Sequence, residues 1–223
     1  MKKILASALA LIGVSKSVVP DQKEQSLDPK SILFSMPTLS NDLAPVEHFE
    51  GEPRDSDVAF HEDEWSQIEF FPQSQLAAVQ RTMNEYKSFE AANRAEYGWR
   101  NIYVRKLERT AVVGGPRAVH SIEAAFHAKA GPAPVLFSSS SIIGQVTDGF
   151  SIPLGGSIFL YGYATDAGIP ILGALVGENP DHQILVKAFV TLNAQEGLVL
   201  ADWRQQLMLI SAAPSGDLDM WRP

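Results

Sequence analysis

The sequence WSQIEFFPQSQLAAVQRTMNEYKSFE, residues 65–90, contains the clearest strand and the clearest helix of the chain. In its first part, Ile68 and Phe70 alternate with Gln67 and Glu69, which is the pattern of a strand with one buried face. In the remainder, apolar residues recur every three or four positions and therefore lie along one side of a helix. They are Leu76, Val79, Met83, Tyr86 and Phe89.

The residues that follow alternate between strand and helix patterns. Strands are predicted at 101–106, 135–143, 157–163, 169–176, 198–201 and 207–210, and helices at 116–129 and 179–195. The strand at 169–176 contains Pro170 and Gly173, so we expect it at an edge of the sheet or at a bulge. The late strands are joined by short links. This order favours an α+β fold with a largely antiparallel sheet and two or three helices packed on one face.

The charge of the chain is concentrated upstream of this domain. The 223 residues carry a net charge of −8, with 18 Lys and Arg against 26 Asp and Glu. Residues 18–64 hold twelve of the acids and three of the bases, a balance of −9, so the rest of the chain is near +1. We predict a flexible, acidic, proline-containing extension at 18–64, a single domain at 65–211 and a frayed tail at 212–223. Alternatively, the apolar residues within 31–39 dock as an extended arm.

The first seventeen residues, MKKILASALALIGVSKS, have the layout of a secretory signal peptide. Two lysines precede a mostly apolar run, which is shorter than the roughly 20 residues that a membrane-spanning helix needs. We therefore expect no membrane span and a periplasmic or secreted protein. The alternative is a cytoplasmic protein with an apolar N-terminal helix.

Several classes of site lack support in the sequence. The chain has no Cys, which excludes thiol catalysis, disulfides and Cys-ligated metal centres. It contains no phosphate-binding glycine loop and no G-x-S-x-G nucleophile motif, so we expect no cofactor. The net negative charge disfavours a nucleic-acid partner.

Basic residues are enriched in residues 81–117, where eight bases face four acids. We interpret this segment as a surface that holds an acidic partner or the acidic extension. The candidate binding residues are Arg94, Trp99, Arg100, Tyr103, Arg105 and Lys106. The alternative is a solvated helix face with ordinary ion pairs between successive turns.

A second candidate site is the sequence HSIEAAFH, in which His120, Glu123 and His127 lie on one stripe of a helix. Two imidazoles and a carboxylate suit zinc, although the spacing is not that of the metalloprotease motif. The alternative is a solvated helix face, because apolar residues occupy the other side of this helix.

The segments DEWSQIEFFP (63–72) and ADWR (201–204) resemble parts of small bacterial proteins that bind and neutralise toxins. No diagnostic motif accompanies the likeness, so it assigns no residue roles. The leading hypothesis is a non-enzymatic protein-binding domain of the bacterial envelope, specifically an immunity-type inhibitor of a toxin or effector. The alternatives are a metal-dependent hydrolase built on the His120 stripe, and a small-ligand sensor that uses the Ser-rich loop at 138–141 and the Phe- and Tyr-containing strand at 157–163.

Overall fold

The computed structural model describes residues 33–54 and 57–223, and within them it contains three α-helices and sixteen strands. The helices are α1 (Leu76–Asn93), α2 (Ala118–Phe126) and α3 (His182–Glu196). The strands are β1 (Thr38–Ser40), β2 (Val46–Glu47), β3 (Ala59–His61), β4 (Ile68–Pro72), β5 (Arg94–Ala95), β6 (Gly98–Trp99), β7 (Tyr103–Arg105), β8 (Val113–Gly114), β9 (Val135–Ser138), β10 (Ser141–Val146), β11 (Gly149–Gly155), β12 (Ile158–Thr165), β13 (Gly168–Val176), β14 (Leu198–Asp202), β15 (Leu207–Ala212) and β16 (Leu218–Trp221).

The main sheet has the strand order β11-β12-β13-β4-β14-β15-β16, and β8 adds to one end of β13. Every neighbouring pair in this sheet is antiparallel, which confirms the predicted α+β class. Smaller sheets join β2, β10, β9 and β3, and pair β1 with β7 and β5 with β6. The strand that opens the 65–90 segment, β4, lies at the centre between β13 and β14.

Both faces of β4 are buried, whereas the alternation predicted one buried face. Phe70 packs with α2 and α3 in one core cluster, and Phe71 packs with α1 in another on the opposite face. The predicted placement of two or three helices on one face therefore holds for α2 and α3, while α1 covers the other face. Glu69 points to the α1 face and is fully buried there.

The strand expected at an edge or at a bulge, β13, is an interior strand whose register with β12 shifts once, as at a bulge. Pro170 costs no ladder hydrogen bond, because it falls between the stretches of β13 that pair with β8 and with β4. On the other side of β13, it falls where the register with β12 shifts. Gly173 is required here because the ring of Tyr161 packs against its Cα; an added Cβ would lie 2.4 Å from that ring.

The last helix follows its local sequence closely. The Asp181 carboxylate accepts a hydrogen bond from the Gln183 N–H at 3.0 Å and caps the first turn of α3. At the other end, Gly197 adopts a left-handed conformation with φ 64°, as expected for the glycine that ends a helix. These two caps fix α3 against β14, which starts at the next residue.

The compact unit begins at Leu33, so the prediction of a flexible extension through residue 64 is wrong for its described part. Strands β1, β2 and β3 pair with β7, β10 and β9, and Val58 and Phe60 are buried. A few well-placed apolar residues outweigh the acidic average composition of the segment. The alternative, an arm within 31–39 that docks, agrees with the structure where it is described: Phe34 and Trp99 exchange backbone hydrogen bonds of 2.8 and 3.0 Å.

The tail predicted to fray at 212–223 instead ends in β16, which pairs with β15. Leu218 and Trp221 pack against the clusters on the two faces of the sheet, which holds this strand in place. The predicted signal peptide, residues 1–17, lies outside the described residues. Among the helices of the described ranges, none is long and apolar enough to cross a membrane.

Candidate functional site

The fully buried carboxylate of Glu69 has a different partner for each oxygen. The Arg109 guanidinium donates from Nη1 to Oε2 at 2.8 Å, and the Trp203 indole donates from Nε1 to Oε1 at 2.9 Å. A buried carboxylate without such partners would be strongly unfavourable. Glu69 therefore ties the Arg109 loop and the end of β14 to the centre of the sheet.

Arg109 extends this network to the segment around β1. Its Nε donates to Asp42 Oδ2 at 2.8 Å, and its Nη2 donates to the Ser40 hydroxyl at 3.2 Å. Burial alone would lower the pKa of Arg109, but the charge of Glu69 and the hydrogen bonds to Asp42 and Glu69 raise it. The guanidinium stays charged and fixes residues 40–42 over β4.

Arg105 is buried, so its predicted role as a surface binding residue is wrong. The guanidinium lies over the Trp203 ring at 4.8 Å and donates to Thr38 Oγ1 at 3.0 Å and to the Ser66 carbonyl at 2.9 Å. Burial lowers the pKa of Arg105 to about 10. The alternation of residues in β7 places Val104 and Arg105 on opposite faces but does not decide which face is buried. Val104 is exposed and Arg105 points inward, where Thr38, Ser66 and the Trp203 ring contact its guanidinium.

Three of the other candidate binding residues contact acidic side chains. Arg94 pairs with Glu90 at 2.9 Å and lies 5.4 Å above the Trp99 ring, and the Trp99 indole donates to Glu90 at 3.3 Å. Tyr103 donates to Glu85 at 3.0 Å, and burial together with this acid raises the pKa of Tyr103 to about 12. The remaining two, Arg100 and Lys106, are exposed.

The His120 stripe is not arranged as a metal site. Glu123 uses Oε1 to accept the Ala130 N–H at 2.9 Å, and its Oε2 lies 3.1 Å from His120 Nδ1 and 3.7 Å from Lys129 Nζ. The backbone N–H of Ala130, aided by Lys129 and His120, lowers the pKa of Glu123. His127 ends α2 in a left-handed conformation. Among the residues that the structure describes, no three His, Asp or Glu side chains could hold a metal ion.

The Ser-rich segment at 138–141 forms the tight turn between β9 and β10. A two-residue turn offers its hydroxyl groups to solvent and leaves little space to enclose a molecule. The loop that suggested a sensor is therefore accounted for by the hairpin itself.

A surface lined by aliphatic and acidic side chains lies over the buried network of Glu69 and Arg109. Two hollows of about 250 and 80 Å³ adjoin there, and both are lined by Leu43, Glu62 and Trp65. The larger hollow also contacts Leu39, Ser40 and Asp63, and the smaller one Ala44, Val46, Leu136 and Ile143. We call these residues together the Leu43 surface.

The Leu43 surface combines exposed aliphatic side chains with carboxylates. Leu43 is 67% exposed and stands between the hollows, and Val46 and Ile143 are each 38% exposed. Glu62 and Asp63 contribute the charge at the larger hollow. Contiguous exposed apolar groups edged by charge are typical of sites that contact another molecule.

Trp65 lines both hollows, and in the described part of the chain it and the two residues that follow it contain buried polar atoms without hydrogen-bond partners. Trp65 packs against Phe60 and Tyr161, with ring centroids 6.4 and 5.1 Å apart. Ser66 has a φ of 58°, and its N–H donates to the Tyr161 hydroxyl at 2.9 Å. Within the described residues, buried polar atoms of Trp65, Ser66 and Gln67 have no hydrogen-bond partner. Such strain and unpaired groups concentrate at functional sites.

Sequence reasoning missed this surface because it treated residues 18–64 as solvated. The available signal was the recurrence of Leu39, Leu43 and Val46 among the acids, at intervals of four and three residues. The smaller hollow depends on Leu136 and Ile143, which come from a distant hairpin. Comparisons with protein-family models, curated proteins and solved structures found no match, so any inference of function rests on the residues and geometry of the chain itself.

Proposed function

We propose that this chain is a non-enzymatic protein-binding domain that uses the Leu43 surface to hold a protein partner. The observation that supports this proposal most directly is the exposure of Leu43 between two hollows beside Glu62 and Asp63. Burying such a leucine against a partner is worth about 2 kcal/mol, enough for a dominant contact.

The chemistry of the surface indicates the chemistry of the partner. Each hollow is small, so it suits a single side chain rather than a separate ligand. The apolar lining of the smaller hollow fits an aliphatic side chain. Glu62 has no ion pair within the described part of the chain, and it is placed to receive a Lys or Arg. The partner expected is therefore a basic protein with an exposed aliphatic residue.

An immunity-type inhibitor is the specific form of this proposal. Many protein inhibitors act by covering the working surface of a toxin or effector, and an acidic surface would attract a basic one. The signal-like N-terminus supports action in the bacterial envelope, as a periplasmic or secreted protein.

The test is partner capture followed by direct titration with matched variants. The full chain recovers binding proteins from native extract, and each purified candidate is titrated against wild type, Leu43→Glu and Tyr97→Glu. Tyr97 is 82% exposed beside the Arg94 and Trp99 residues, so it is the control for the basic segment. We expect Leu43→Glu to weaken binding by at least about thirtyfold, as for a hot-spot residue, and Tyr97→Glu to have little effect.

Two results would contradict the proposal. If Tyr97→Glu abolished binding and Leu43→Glu did not, the partner would use the basic segment instead. Turnover of an ester, peptide or glycan substrate by the purified chain would show an enzyme. Because Leu43 is largely exposed, its variant should melt within a few degrees of wild type, which separates lost binding from lost folding.

A further inference from the structure

On the face of the sheet opposite to the Leu43 surface, a groove of about 580 Å³ runs between α3 and strands β4, β14, β15 and β16. We call it the α3 groove. Its volume lies within the range usual for sites that hold small molecules. All of its apolar side chains are aliphatic or methionine, and the imidazole of His182 is the one aromatic ring among the residues that line it.

The sheet forms the floor of the groove as two cross-strand rows. In one row Leu200 pairs with Leu209, and Leu209 pairs with Met220. In the next row Asp202 lies between Ile68 and Leu207. A carboxylate therefore occupies a position flanked on both neighbouring strands by aliphatic side chains.

One side of α3 forms the opposite wall. His182, Leu185 and Val186 line the groove, and their spacing of three and four residues places them on a single helix face. Leu185 packs against the core beneath, so the wall is anchored. The groove is thus bounded mainly by a capped helix and a paired sheet, and Arg204 and Gln205 of the β14–β15 turn also line it.

Asp202 is the charged group in this groove without an ionic partner. Its Oδ1 accepts the Gln205 N–H at 2.9 Å, which shapes the β14–β15 turn. The nearby Arg204 is held by the Glu64 carboxylate at 3.0 Å, and within the described residues no basic group lies within 4 Å of Asp202. Burial raises the pKa of Asp202, and this effect outweighs the opposing effects of backbone hydrogen bonds from Gln205 and Arg204 and of the charges on Arg204 and Arg222.

We propose that the α3 groove binds a linear aliphatic amine, with the chain along the aliphatic rows and the ammonium group on Asp202. The ammonium group of the ligand supplies a positive charge opposite the Asp202 carboxylate. Its alkyl chain covers aliphatic side chains of the groove that would otherwise face water. This ligand site is independent of the protein-binding function proposed above, because it lies on the other face of the sheet.

The test uses hexylamine, octylamine and decylamine, titrated into the full chain below their aggregation concentrations. Affinity should rise by up to about fourfold per added methylene, equivalent to about 0.8 kcal/mol, until the groove is filled. Octanoate should bind at least tenfold more weakly than octylamine, because its charge repels Asp202. Backbone amide NMR shifts on octylamine binding should cluster at residues 182–186 and 202–207.

Asp202→Asn removes the charge and keeps an oxygen that can accept the Gln205 N–H. We expect it to weaken octylamine binding at least tenfold, while Asp166→Asn, the same change in the exposed β12–β13 turn, leaves binding unchanged. Equal binding by the Asp202 variant, tighter binding of octanoate, or the absence of NMR shifts in the groove with the folded wild-type chain would each overturn the proposal.

Discussion

Two carboxylates lie on opposite faces of the same pair of strands and have opposite surroundings. Glu69 on β4 is in register with Ala201, and Asp202 follows on β14 in register with Ile68. Glu69 is fully buried and receives hydrogen bonds from Arg109 and Trp203. Asp202 is flanked by aliphatic residues and has no cation at contact distance among the described residues. The paired carboxylate organises the fold, whereas the unpaired one remains available to a ligand.

We expect the largest effect on stability from a substitution that breaks the buried Glu69–Arg109 ion pair and keeps the shape of the side chain. Glu69→Gln removes the negative charge beside Arg109. The amide group that replaces one carboxylate oxygen then faces another donor, either the Arg109 guanidinium or the Trp203 indole. Removing one partner of a buried ion pair typically costs about 3–5 kcal/mol, so we expect a loss of that size in the free energy of unfolding. Urea denaturation measures it. The exposed Glu85→Gln is the control, and a loss from Glu69→Gln no greater than from this control would contradict the assigned role.

The second prediction concerns the other buried guanidinium, Arg105, which shares the face with Glu69. Arg105→Lys keeps the charge but cannot make both directed hydrogen bonds, to Thr38 and Ser66, while lying over the Trp203 ring. We expect a loss of about 2 kcal/mol in the free energy of unfolding. Arg100→Lys makes the same change at an exposed position and should stay within about 0.5 kcal/mol of wild type. Equal effects at both positions would show that charge alone matters at Arg105.

The fold class was predictable because its signals are local. The periodicity of residues 76–89 predicts α1 from neighbouring residues alone, and Gly197 ends α3 through its own backbone conformation. The buried face of β7 was not predictable, for the opposite reason. Arg105 points inward because Thr38, Ser66 and Trp203 meet it there, and they come from three separate parts of the chain.

The candidate site was less predictable than the fold for the same reason. The Leu43 surface needs residues 39–46 and 62–65 to pack beside the β9–β10 hairpin, which no local pattern encodes. The average composition of residues 18–64 also gave a wrong prediction. Twelve acids indicate a solvated segment, although the buried residues Val58 and Phe60 anchor it to the domain. Glu69 fits a half-buried strand equally well until Arg109, forty residues later, is known to reach it.

The smallest predicted effect has the opposite sign and completes the comparison. Asp202→Asn is the same isosteric change as Glu69→Gln, but it removes a partly buried charge that makes no ion pair within 4 Å among the described residues. We therefore expect the variant to be slightly more stable than wild type at neutral pH in the absence of ligand. Thermal unfolding of both proteins from pH 3 to pH 7 measures the difference.

The pH dependence of this difference follows from the raised pKa of Asp202, which burial causes. Folded wild type binds the Asp202 proton more tightly than the unfolded chain, whose ordinary pKa is 3.8. Its stability from this group is therefore highest below that value and falls as the pH rises through the folded pKa. Asn does not titrate, so the advantage of the variant should vanish at acidic pH and be complete at neutral pH. A variant less stable than wild type at pH 7 would show that Asp202 serves the turn rather than a cation, and the two carboxylates would then both be architectural.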